Sequence, residues 1–224
     1  MKIYILEKIT AFNITNVFVF IPGVFERGVC NKIAISDIGC LLHKTLCFNW
    51  FFSVNYVKPE VLLHEVGHSF GLMHSNIYGE EYGDTTCVMG KCCGEKCFNA
   101  PQSENLGITQ AQLFLTSSNF PINYVYTITL YSIDIHVPTF IKILPEWSLL
   151  FEKTIIYISQ QQLPISNVIY IYSSLSGKTS LGFHETNLVA TLYLYQTYIL
   201  HDMNIYVLYE KDALMRDIIR VWRV

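Results

Sequence analysis

The sequence predicts an α+β chain in two parts, a first part built around one helix and an all-β, antiparallel, sandwich-like second part. Three observations lead there. All seven cysteines and four of the seven histidines fall before residue 110. One segment near residues 58–72 carries helical rather than strand periodicity. Beyond residue 122 the chain becomes short runs rich in Ile, Tyr, Val and Thr, separated by Pro, Ser, Gly and Asn, as in antiparallel sandwiches. The expected domains are 1–118 and 122–224, joined near the polar Ser117, Ser118, Asn119 and Pro121.

Taken in order, Ile14 to Ile21 reads as a strand ended by Pro22-Gly23. The helix from about Lys58 to Leu72 has Pro59 in its first turn and Glu60 at the positive end of its dipole. Leu62, Val66, Ser69 and Met73 share one face; Val61, His64, Glu65 and His68 share another. That pattern predicts a helix apolar behind and polar in front. Seven strand-like runs follow: Tyr124 to Leu130, Thr139 to Ile143, Thr154 to Ile158, Val168 to Tyr172, Leu188 to Tyr195, Ile205 to Tyr209 and Ile218 to Trp222.

With 51% hydrophobic and 15% charged residues the chain has the composition of a packed protein, which excludes disorder. Its 15 basic and 18 acidic residues are scattered, so no basic stripe offers itself to nucleic acid. A spanning helix needs roughly 20 consecutive apolar residues, and no such window is present. The opening MKIYILEKITAFNITN lacks the apolar core of a signal peptide, whereas clustered cysteines suit an oxidising compartment. The two agree if the chain is the back part of a longer secreted precursor, and the sequon Asn13-Ile14-Thr15 is consistent with that.

The segment Val61 to His74 contains H-E-x-x-H-x-x-G-x-x-H. Histidines four apart project from successive turns of one face, so His64 and His68 can reach one ion. Glu65 stands beside them, close enough to act as a base without being a ligand. Gly71 lets the helix end and the chain turn, after which His74 supplies a third imidazole. Three histidines leave one coordination position open, which marks a catalytic zinc site. Five fixed letters arise by chance about once in 10⁴ chains of this length.

The zinc motif, followed by Glu81-Tyr82-Gly83-Asp84, Val88-Met89-Gly90 and Cys97-Phe98-Asn99-Ala100-Pro101, resembles the metzincin peptidases, and within them the gametolysin group, peptidase family M11. Phe18-Val19-Phe20-Ile21-Pro22 and Ile38-Gly39-Cys40 resemble that group's lead-in to the zinc helix. The likeness covers roughly residues 14 to 110. It implies a metzincin-like zinc-helix domain and a secreted zinc endopeptidase acting on extracellular or cell-wall glycoproteins. His64, His68 and His74 would be the ligands, Glu65 the base for a zinc-bound water, and Met89 the turn methionine. Only residues 1–57 precede the helix region, which is short for this family. The alternative is therefore a truncated, catalytically impaired relative that binds zinc or a wall polymer; a zinc amidase is a further one.

Glu80, Glu81 and Asp84 form an acidic cluster after the third ligand. The cluster could bind calcium or accept from the ligating imidazoles; a solvated loop is the default for Glu80 and Glu81, and Asp84 is the candidate to orient an imidazole. Cys92, Cys93 and Cys97 suit disulfides better than a second zinc site, and Cys87 is expected to pair with another cysteine. His43, His136, His184 and His201 lack ligand spacing and are given no role.

Overall fold

The computed structural model describes residues 16–20, 34–43, 45–51, 58–91, 96–131, 139–148, 153–161, 167–177, 179–180 and 182–224. The chain divides into two compact units: Met1–Met73 with Lys178–Phe183, and His74–Gly177 with His184–Val224.

In the first unit, β1 (Asn16–Phe20) and β2 (Ala34–Ser36) flank β3 (Cys47–Phe51), parallel and antiparallel to it respectively. Cys47, Asn49 and Phe51 alternate inward along β3, each fully buried. A disulfide joins Cys40 to Cys47. The helix α1 (Pro59–Ser69) is latched to residues 36–41: Gly39 N–H donates to His68 O at 2.8 Å, Leu41 N–H to Ser69 O at 3.0 Å, and Ser36 Oγ to Glu65 O at 3.0 Å.

α1 does not present an apolar back and a polar front. Leu63 is 39% exposed, Leu62 and Val66 are half-buried, and Glu65, His68 and Ser69 are buried. The polar groups can be buried because partners satisfy them: Ser69 Oγ donates to Asn49 Oδ1 at 3.3 Å, and His68 Nδ1 lies 2.8 Å from Leu72 O.

The second unit contains two sheets. The six-stranded sheet runs β4 (Ser75–Ile77), β10 (Thr186–Leu192), β9 (Val168–Leu175), β8 (Thr154–Gln161), β7 (Phe140–Ile143), β5 (Ala111–Leu115). The four-stranded sheet runs β11 (Thr197–Leu200), β12 (Ile205–Lys211), β13 (Asp217–Arg223), β6 (Val125–Thr129). Period-2 alternation sends Ile156, Ile158, Ile169 and Ile171 of one sheet into the same core as Val207 and Val221 of the other. Tyr157, Tyr170 and Tyr172 point to the opposite face, in a smaller cluster with Ala100 of α2 (Ala100–Asn105). Lys142 Nζ and Tyr157 Oη both donate to Glu104 Oε2 of α2, at 2.7 and 2.9 Å. Ile171 is fully buried in the shared core, so Ile171→Ala is expected to cost about 2–5 kcal/mol in urea unfolding.

The expected α+β class, a metzincin-like zinc-helix domain followed by a separate sandwich-like domain, is corrected. The described residues form three β-sheets with only two α-helices, of 11 and 6 residues. The physical reason is long-range pairing. Segments before residue 118 complete the sheet of the later strands: β4 pairs in parallel with β10, Ser75 opposite Thr186, and β5 in parallel with β7. The polar stretch at residues 117–121 accordingly lies inside the second unit.

Candidate metal centre

A four-residue spacing returns side chains to one face of α1, so His64 and His68 stand together, their rings edge to face with centroids 4.8 Å apart. The helix stops abruptly at Gly71, whose φ is +83°. Gly71 N–H donates to His68 O at 2.7 Å and Leu72 N–H to Gly67 O at 3.0 Å, the two bonds of a Schellman cap. A Cβ at position 71 would come 2.6 Å from Leu42 Cδ1, so glycine serves both conformation and space.

The donor atoms of His64, His68 and His74 all lie within 4.8 Å of one another, the one such group among the described residues. A tetrahedral ion bound at 2.0–2.1 Å sets its ligands about 3.3 Å apart. Three imidazoles with a fourth position open fit catalytic zinc. Two of the rings are already fixed. His68 Nδ1 meets the Leu72 carbonyl at 2.8 Å, and His74 Nδ1 meets Glu81 Oε1 at 2.7 Å. With the proton at Nδ1, each Nε2 keeps its lone pair for a metal.

Glu65 is buried, and its backbone carbonyl accepts the Ser36 and Ser69 hydroxyls at 3.0 and 3.4 Å. These bonds pin the turn of helix from which the carboxylate projects.

β4 begins immediately after His74 and is tied on both sides. Thr186 N–H donates to His74 O at 3.1 Å, and Ser75 N–H donates to Met89 O at 3.0 Å. Met89 is fully buried in the turn closed by Gly90 N–H to Cys87 O at 3.1 Å. Ser75 Oγ accepts from Asn99 Nδ2 and Thr186 Oγ1, each at 2.9 Å, and donates to Asp84 Oδ2 at 2.6 Å. Asp84 Oδ1 accepts from the N–H and hydroxyl of Thr86 at 2.8 and 2.6 Å. Asp84 thus bonds Ser75, the neighbour of His74, and the carboxylate that meets the His74 imidazole is that of Glu81. For Glu81 the sequence favours a solvated loop, because a place seven residues after His74 carries no periodic signal.

Thr86 Oγ1 also meets Tyr172 Oη at 2.7 Å. Burial, and the nearby Asp84, push the Tyr172 hydroxyl well above its ordinary range, so it stays neutral. Cys87 is a buried thiol rather than half of a disulfide, donating to Gln102 Oε1 at 2.8 Å. Burial pushes its pKa up, which favours the neutral thiol. Cys30, Cys92, Cys93 and His136 lie outside the described residues. His43 meets Ser180 O at 3.2 Å, and His201 opens the single-turn helix His201–Met203.

A carboxylate accepting from the non-ligating nitrogen orients the ring and raises its basicity. Glu81→Gln is expected to weaken zinc binding about 10- to 100-fold, read by competition with a chromogenic chelator.

The family model for gametolysin peptidase M11 matches residues 10–134, more than half of the 224. Neither a curated protein nor a solved structure matches the chain. The matched range holds the three histidines, Glu65, Glu81, Asp84 and the methionine turn. The chain belongs to the gametolysin peptidase family.

Proposed function

We propose that the chain is a secreted, zinc-dependent metalloendopeptidase that hydrolyses peptide bonds of extracellular or cell-wall proteins and glycoproteins. The observation that carries this reading is the cluster of three imidazole donors within 4.8 Å, on the same motif as the buried Glu65. Zinc, when bound, supplies a Lewis acid that polarises the scissile carbonyl and lowers the pKa of water. Glu65 takes the proton from the attacking water and returns it to the leaving nitrogen. The Nδ1 bonds of His68 and His74 hold both rings in the ligating tautomer, so neither has to reorient. Secretion is supported by the Cys40–Cys47 disulfide. No described helix is long and apolar enough to cross a membrane. The glycoprotein substrate rests on the family alone.

The test is cleavage of a broad panel of peptides and unfolded proteins by purified chain, with a metal count. One zinc per chain, cleavage abolished by 1,10-phenanthroline and activity restored by added zinc are expected. Cleavage that survives complete metal removal would sink the reading. Zinc uptake with no cleavage across the panel would replace it with a zinc-binding, catalytically impaired relative.

A further inference from the structure

Residues 78–82, just after β4, hold three residues in the left-handed region: Tyr78 at φ 49°, Gly79 at 81° and Tyr82 at 62°. Glycine adopts that region freely, but a tyrosine does so against the clash of its Cβ. Such backbone persists only where surrounding structure enforces it, and it clusters at ligand clamps. Here the enforcement is visible. Tyr82 N–H donates to Asn76 Oδ1 at 3.3 Å, and buried Asn76 is held in turn by Nδ2 to Glu185 Oε2 at 2.8 Å. Glu80 N–H to Ile77 O at 2.8 Å and Gly83 N–H to Glu80 O at 3.0 Å close the loop.

The consequence of this bend is that two consecutive side chains reach one imidazole. Glu81 meets His74 in the ring plane at Nδ1, at 2.7 Å. Tyr82 lies across its face, ring centroids 3.8 Å apart at 39°. The Glu81 bond is made at Nδ1, which leaves Nε2 as the nitrogen with a lone pair for a metal. Core packing does not explain Tyr82, which remains 40% exposed.

We propose that Tyr82 is a positioning residue for the third metal ligand: the strained loop presses its ring onto His74, which Glu81 grips at Nδ1, so the imidazole is fixed before an ion arrives. This rests on the reading of His74 as a zinc ligand. Ordering a ligand in advance removes an entropic cost from binding, which appears as affinity.

The test uses the full chain, metal-free, titrated with zinc against a chromogenic chelator, with the visible spectrum of the cobalt(II) form and the melting temperature of the metal-free form. Tyr82→Phe keeps the ring and should bind within about twofold of wild type. Tyr82→Ala should bind about 10-fold more weakly with an altered cobalt spectrum, by analogy with loss of other ligand-orienting groups. Tyr82→Gly relieves the backbone, so its metal-free form should melt at or above wild type while zinc binding is still about 10-fold weaker. Wild-type affinity in the Ala and Gly variants overturns the inference. So does weak binding by Tyr82→Phe, or a loss of affinity in all variants that merely follows a lower melting temperature. A wild-type chain that takes up no zinc overturns the peptidase reading itself, and this inference with it.

Discussion

Glu65→Gln is expected to lower kcat/KM for peptide hydrolysis by about 10²–10⁴ while leaving one zinc per chain. Glutamine matches glutamate in shape, so the change removes the ability to accept a proton and little else. The hydroxyls of Ser36 and Ser69 bond the backbone carbonyl of residue 65, not its side chain, and those bonds survive the substitution. The proposed metal donors are the imidazoles of His64, His68 and His74, so zinc uptake should not depend on the carboxylate. His68→Ala makes the contrast, because it should lose metal and activity together. Two results would redirect the mechanism. Retained turnover in Glu65→Gln would mean that another group serves as base, and lost zinc would make Glu65 a ligand. The split between metal content and rate is therefore the informative quantity.

The clustering of the three histidines is legible in the sequence because its spacing is local. One helix face and one left-handed glycine bring 11 residues to three donors, and both follow from short-range rules. The helix, expected over 58–72, spans Pro59–Ser69, and the seven later strand-like runs coincide with β6 to β10, β12 and β13. What was hidden is non-local. β4 has three residues, Ser-Asn-Ile, too few for any periodicity, and its strand character depends on Thr186 more than a hundred residues away. The inverted burial of α1 has the same origin, since Asn49 and the Leu72 carbonyl make buried Ser69 and His68 tolerable and neither appears in a hydrophobicity pattern. Choosing between Glu81 and Asp84 required the backbone turn at Tyr82, which no composition rule would assign to a tyrosine.

Gly90→Ala should be the most damaging glycine-to-alanine change among the described residues of the second unit, costing about 3 kcal/mol or more and lowering zinc affinity with it. The argument is one of space rather than backbone conformation, because Gly90 is not in the left-handed region. A Cβ there would stand 2.0 Å from Asp84 O and 2.9 Å from Asp84 C, both backbone atoms that cannot swing aside. The same carbonyl accepts Lys91 N–H at 2.8 Å, and Asp84 N–H donates back to Ser75 O at 3.4 Å. Relieving the clash therefore separates the methionine turn from the strand that starts at Ser75, along with the Ser75 N–H to Met89 O bond at 3.0 Å. Gly79→Ala is the control. It meets nothing within 4 Å, yet its φ of +81° is unfavourable for alanine, so a loss of about 1 kcal/mol is expected from conformation alone. Urea unfolding of the two metal-free variants, followed by zinc titration, separates the causes. If Gly90→Ala proves as mild as Gly79→Ala, the turn can move without the strand, and Met89 does not help to hold the third ligand in place.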